Sequence, residues 1–290
     1  FLMADFDPRI TPFRPDLAAI SLRGKIEAPR YVEGVRKIVF DGAADLRRHP
    51  VPDAPLDTEA LYGEIFIEYD RDEEGWSWGQ LERDSYVGYM PSKALTLDVA
   101  GPTHRVAVQR TFLYGGPSIK LPPMAVLSIG SRVTITDRKD RFLQTHRGHS
   151  IIEDHLIPVN QFESDFVAVA ERFIGVPYYW GGKTSLGLDC SGLVQVALDA
   201  AGILTPRDTY RQEKVLGEPL DVLAPYDGLR RGDLVFWKGH VGIMQDSQRL
   251  LHANGHHMLV VSESLKEAVD RIAQKNAGPV TSVRRLASYK

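Results

Sequence analysis

A single cysteine, Cys190, stands among 290 residues. One thiol forms no internal disulfide, so no disulfide framework holds this fold, which fits a reducing compartment. Long apolar runs are also missing: none approaches the about 18–20 residues that a membrane-spanning helix needs. Charge of one sign is not in excess either. The net charge is −3, with acidic and basic residues interspersed rather than in blocks. Such a surface offers no general attraction to nucleic acid or to an anionic membrane, and neither is expected as a partner. Residues 1–15 lack a basic stretch followed by an apolar core, so no secretory leader is read there. With Met3-Ala4-Asp5 as the start and Phe1-Leu2 as an appended pair, the expected location is the cytoplasm. Removal of an upstream leader would make it exported instead.

What is present suits two or three domains with cores of their own, at 43% hydrophobic and 25% charged residues. Prolines interrupt any periodicity in residues 1–35, which read as an extended arm packed on a later domain. Residues 36–98 have β texture. Ala60–Tyr69 reads as a strand pair or one kinked strand, and Asp72-Glu73-Glu74-Gly75 is turn chemistry. Trp76–Leu81 alternates with period two, and Tyr86–Pro91 closes the block. Of Trp76 and Trp78, one is expected in the core and one outward. Residues 99–160 repeat the order with Met124–Leu127, Gly130–Thr136, Arg141–Thr145, Ser150–Ile152 and His155–Pro158. Each block resembles a small bacterial SH3-like barrel.

From residue 161 the pattern changes. Asp165–Ile174 reads as a helix stopped by Gly175 and Pro177. Leu193, Val194, Val196, Ala197 and Ala200 recur at helical spacing, which predicts a helix over Cys190–Ala201 with Gly202 as its stop. Apolar runs at Leu234–Trp237, Val241–Met244, Leu250–Ala253 and Met258–Val261 predict strands. Ser264 is placed to cap a helix running to Ile272, and Val280–Leu286 forms a last strand. Helices first and an antiparallel sheet afterwards make an α+β domain over 161–290.

A thiol attacks as thiolate, and a helix start favours negative charge. Asp189-Cys190-Ser191-Gly192 puts Cys190 at such a start, where its own backbone N–H can serve a developing oxyanion. Gly181, Gly182 and Gly187 let the preceding loop bring backbone close to a substrate. Gly239-His240-Val241-Gly242 places a candidate base, His240, at a strand entrance. His252 lies twelve residues on, a spacing that suits a hairpin with the two rings side by side. A polar residue there fixes the tautomer of the base. Trp180 either walls the cleft or packs the loop.

Taken in order, Tyr178-Tyr179-Trp180-Gly181-Gly182, Asp189-Cys190-Ser191-Gly192-Leu193-Val194, Arg231-Gly232-Asp233-Leu234-Val235-Phe236, His240-Val241-Gly242-Ile243 and His252-Ala253 resemble the NlpC family of bacterial cell-wall cysteine peptidases. The resemblance covers about residues 162–285 and implies a papain-like fold, with Cys190 as nucleophile, His240 as base and His252 as third polar residue. The arrangement also resembles one branch of that family, in which SH3-like barrels precede the peptidase. Members of that branch cut γ-D-glutamyl–diamino acid bonds in murein peptides with a free N-terminal L-Ala. By that resemblance Asp189, Ser191 and Tyr178 line the site, with Glu64 and Tyr86 reaching in from the first barrel. The plainer alternatives are a solvated strand carboxylate for Glu64 and a barrel-core ring for Tyr86.

No cofactor is expected. A metal hydrolase is the first rival, because His146, His149 and His155 cluster in sequence, as do His252, His256 and His257. Neither set has a recognised ligand spacing, and there is no second cysteine. A protein that holds cell-wall peptides without cutting them is a second rival. An acyltransferase passing its acyl group to an amine is a third.

Overall fold

The computed structural model describes residues 6–97, 100–221, 224, 226–275 and 277–287. The start expected at Met3-Ala4-Asp5 and the block boundary at 98–99 lie outside the described residues. The chain divides into two compact units, Phe1–Gln161 and Phe162–Lys290.

The first unit is all β. Its larger sheet is antiparallel, in the spatial order Leu95–Leu97, Val35–Val39, Ile65–Arg71, Trp76–Leu81, Val87–Pro91, Ala43–Arg47, Leu56–Leu61. One face closes over Val39, Leu46, Phe66, Leu81, Tyr86 and Met90, all buried. The expected strand pair over Ala60–Tyr69 does not form. Leu56–Leu61 and Ile65–Arg71 are separate strands that do not pair with each other. The turn between them, Tyr62-Gly63-Glu64, sends the chain to a different place in the sheet.

The expected division of Trp76 and Trp78 is also overturned. Residues two apart in a strand point to the same side, and both indoles line one cleft of about 400 Å³ with Arg14, Asp70 and Tyr89. Trp78 is buried there against Leu17 of the arm and Val87. The arm is not merely extended. Phe13–Arg14, Leu17–Ala19 and Tyr31–Val32 form a three-stranded sheet of their own. Arg14 lays its guanidinium 5.0 Å over the Trp78 ring and pairs with Asp70.

The second β block carries a five-stranded and a three-stranded sheet. Its core joins Val106, Leu113, Leu127, Val133, Leu143, Ile151 and Leu156 to Tyr62, with Phe40 packed alongside. Tyr62 and Phe40 come from the first block, so the two blocks share an apolar core. Gly63 marks the seam. It has φ +79°, and a Cβ there would overlap the Arg132 carbonyl oxygen. The adjoining Arg132 N–H donates to the Tyr62 carbonyl at 2.8 Å.

In the second unit, helix α1 (Phe166–Glu171) starts at Asp165, whose carboxylate accepts the Ala168 N–H at 2.9 Å. It is shorter than the periodicity suggests and ends in turns before Gly175. Helix α2 (Cys190–Ala200) is buried on nearly every side. Helix α3 (Thr209–Val215) and helix α4 (Leu265–Ala273) follow. Ser264 precedes α4 at the capping position, but its side chain makes no capping bond. The sheet is antiparallel, in the order Glu218–Pro219, Val280–Arg285, Leu234–Trp237, His240–Met244, Arg249–Asn254, Leu259–Ser264. Helix α2 packs on the two strands that carry His240 and His252.

The Arg231-Gly232-Asp233 motif fixes the frame rather than the chemistry. Arg231 pairs with Asp165 and Glu171 of the α1 region, at 3.0 and 2.9 Å. Asp233 is buried and binds Arg285 of the last strand at 2.6 Å.

Gly63→Ala combines an unfavourable left-handed residue with a backbone overlap. It is expected to destabilise the first unit by about 1–3 kcal/mol, read as a lower melting temperature. Gly75→Ala, also at positive φ but with open space around it, should cost less.

Candidate active site

Cys190 is the first residue of α2, and Asp189 caps it. The Asp189 carboxylate accepts five hydrogen bonds. Oδ1 takes the Gly192 N–H at 2.7 Å, the Ser191 hydroxyl at 3.2 Å and Arg207 Nη1 at 2.9 Å. Oδ2 takes the Gly181 N–H at 2.9 Å and Arg207 Nη2 at 2.7 Å. Arg207 is buried and also donates to Ser191 Oγ at 2.9 Å. This bidentate pair ties three segments together: the glycine loop, the start of α2 and the chain before α3. Thr209 then brings its hydroxyl to 3.8 Å from Cys190 Sγ.

The glycines on either side of Cys190 also allow close packing within the protein. Their freedom lets backbone approach backbone within the protein. A Cβ on Gly192 would overlap the Gly182 carbonyl oxygen, and one on Gly187 would meet Tyr179. The loop is thereby pressed onto the helix start. Trp180 is 68% exposed, so it does not pack the loop. Tyr178 is half-buried in the same loop, bridged to Leu188. Burial and the neighbouring Cys190 and Asp189 hold its phenol well above the usual range.

His240 opens its strand, and Gly239 O lies 4.0 Å from Cys190 Sγ. The pairing Ile243↔Leu251 sets His252 diagonally across from His240 on one face of the sheet. The hairpin spacing thus brings the rings together, with His240 Nε2 2.7 Å from His252 Nδ1. The chain of contacts continues past the residues legible in the sequence. His252 Nε2 lies 2.6 Å from Glu263 Oε1, on the next strand. Arg271 of α4 grips both Glu263 oxygens at 2.6 Å.

Burial, helped by the Asp189 charge, pushes the Cys190 thiol up to about 11. The Thr209 hydroxyl, the Val241 N–H and Arg207 pull the other way. Burial, with His252 and Arg271 adding to it, takes His240 down to about 3, while Glu263 opposes that fall. Both effects point to a neutral thiol and a neutral imidazole at rest. Glu263 is held well below the carboxylate range by its bonds to His252 and Arg271, against the cost of burial.

Glu64 and Tyr86 belong to the first unit, and each is 2% exposed. Glu64 Oε2 accepts the Leu61 N–H at 3.0 Å, and Oε1 lies 3.9 Å from Arg83. Neither is a solvated surface group, and Tyr86 stands in the core of the larger sheet. Among the described residues no group of three or more His, Cys, Asp or Glu side chains has the geometry to hold a metal ion. His155 instead pairs with Thr111 at 2.7 Å, and His257 with Asn254 at 3.1 Å.

Residues 175–274 match the NlpC/P60 family, and residues 46–95 match the bacterial dipeptidyl-peptidase SH3 domain. The chain therefore carries an NlpC/P60 domain preceded by an SH3 domain of that kind. It is similar to dipeptidyl-peptidase 6 of Lysinibacillus sphaericus, with 32% identity over 50% of this chain and 52% of that one. It is also similar to the gamma-D-glutamyl-L-lysine dipeptidyl-peptidase of Bacillus cereus, with 27% identity over 63% of this chain and 60% of that one. The chain thus spans between half and two thirds of the length of these relatives. Its fold matches the crystal structure of an NlpC/P60 family protein from Bacillus cereus. The TM-score is 0.70 at 19% identity, over 86% of this chain and 99% of the other.

Removing one partner of a buried ion pair strands the other. Arg207→Met should cost about 3–5 kcal/mol in urea unfolding. A pH dependence follows from Glu263. Its carboxyl is lower folded than unfolded, so its stabilisation is complete above the ordinary value of 4.5 and is lost as pH falls below it. Urea unfolding at pH 5 and at pH 3 should show a larger acid loss for the native protein than for Glu263→Gln.

Proposed function

We propose that this protein is a cysteine peptidase that hydrolyses γ-D-glutamyl–diamino acid bonds in murein peptides bearing a free N-terminal L-Ala. The observation that carries this is the 2.7 Å bond between His240 and His252, on the two strands against which α2, the helix opened by Cys190, packs. This constellation falls within the NlpC/P60 match. The name of the Bacillus cereus relative, gamma-D-glutamyl-L-lysine dipeptidyl-peptidase, favours the substrate class. The same reading takes both β blocks as SH3-like barrels and the second unit as a papain-like α+β fold. The sheet orders and the helix that starts at Cys190 support it.

In this mechanism Cys190 Sγ attacks the γ-carbonyl carbon of D-Glu. Its proton passes to His240, so charge forms only as the bond forms. The carbonyl oxygen gains negative charge opposite the first N–H groups of α2, among them that of Cys190, which have no acceptor within the helix. His240 then gives its proton to the departing amine of the diamino acid. Water attacks the thioester with His240 again accepting a proton, and L-Ala-γ-D-Glu leaves as a free acid. Tyr178, Trp180, Asp189 and Ser191 line the nucleophile's side of the substrate. Asp189 acts there chiefly by holding Ser191 and the loop in place, since Arg207 already neutralises its charge.

Cys190→Ala should abolish cleavage of L-Ala-γ-D-Glu–diamino acid tripeptide and leave the circular dichroism spectrum unchanged. Chelators should have no effect, and a chelator-sensitive, alkylation-resistant activity would sink the assignment. Acetylating the L-Ala nitrogen should suppress cleavage. Equal turnover of free and acetylated peptide would remove ammonium recognition from this account.

A further inference from the structure

Three adjacent strands each place one polar residue on a common diagonal: His240, His252 and Glu263. Pairing of Leu250 with Glu263 and of His252 with Val261 puts Glu263 two residues along from His252's partner, on the same face. Arg271 closes the line from α4. We propose that Glu263, locked by Arg271, is the positioning residue of this site: it sets the tautomers of both histidines so that His240 presents an unprotonated Nδ1 as the base. This deepens the peptidase reading and rests on it for the role of His240.

The donors and acceptors leave one consistent pattern. A carboxylate bound on both oxygens by a guanidinium is ionised and only accepts. His252 Nε2, 2.6 Å away, must therefore carry its proton. A neutral His252 then has a bare Nδ1, which accepts the proton on His240 Nε2. That leaves His240 Nδ1 bare. One competitor is in reach: Asn254 Nδ2 lies 3.0 Å from His252 Nε2. The Asn254 carbonyl oxygen is committed to the His256 and His257 N–H groups, so its amide can only donate towards His252. Accepting that bond would require His252 to lose its Nε2 proton and Glu263 to gain one. The shorter bond to a charged group prevails over the longer neutral one. The other charged or titratable groups around Glu263 are His257, with Nδ1 3.9 Å from Oε1, and Lys275, which contacts His256 at 3.3 Å. Neither replaces Arg271 as its partner. As His240 becomes cationic during attack, the Glu263 charge lies one imidazole away and stabilises it.

Alkylation tests this without any peptide substrate, because Cys190 is the sole thiol. The second-order rate with iodoacetamide at pH 7 should fall about 10–100-fold in Glu263→Gln, with a parallel fall in kcat and little change in KM. Glu263→Asp keeps the charge and should retain more of both rates. An unchanged alkylation rate in a folded Glu263→Gln protein, or equal losses in the Gln and Asp variants, overturns the proposal. If alkylation falls but the native protein cleaves no murein peptide, the positioning role stands and the substrate assignment fails. Should Glu263→Gln not fold, nitrogen NMR of histidine-labelled native protein decides. Both rings are expected as Nε2–H tautomers at pH 7, and a His252 protonated at Nδ1 overturns the proposal.

Discussion

The pairing of Asp189 with Arg207 is the constraint on which the rest of the candidate site depends. A buried carboxylate is tolerable only when its charge is met and its lone pairs are used. Here two guanidinium nitrogens, two backbone N–H groups and one hydroxyl do both. Each of those donors belongs to a segment that has to be in place for chemistry at Cys190. The N-cap, the glycine loop and the approach to α3 are therefore not independent features. They are arms of one electrostatic hub, and the thiol is the next residue along the chain.

From that hub the site extends along the sheet. Burial pushes the Cys190 thiol towards its neutral form, and the surroundings of the half-buried His240 push its imidazole the same way. The ionised member lies at the far end, where Arg271 compensates it. Charge is thus stored away from the reacting atoms and is felt through two imidazoles. The design resembles an acid–base–nucleophile line in which the acidic end has been moved one residue outward.

Much of this was legible in the chain, and what was not has physical reasons. The start of α2 could be read because a capping Asp, a run of apolar residues at helical spacing and a stopping Gly coincide there. The His240–His252 contact could be read because twelve residues is a hairpin length. Glu263 was hidden because a lone acidic residue in a strand next to Ser262 and Ser264 looks like a solvated edge. Its meaning depends on strand order, which sequence spacing does not carry. Arg207 was hidden for a similar reason, sitting seventeen residues past the nucleophile with no periodic pattern around it. In the first unit, the two tryptophans show a simple rule misapplied: period two puts Trp76 and Trp78 together, not apart. A pair or kink within Ala60–Tyr69 was legible, but not that the turn sends the chain to a different place in the sheet, because pairing partners are chosen by the whole sheet.

The thiol's burial has a consequence for survival in an oxidising environment. Peroxide reacts with thiolates, and susceptibility follows ionisation and access. Cys190 is only 7% exposed, and burial pushes its thiol up. The resting sulfur is consequently a poor target for conversion to sulfenic or sulfinic acid.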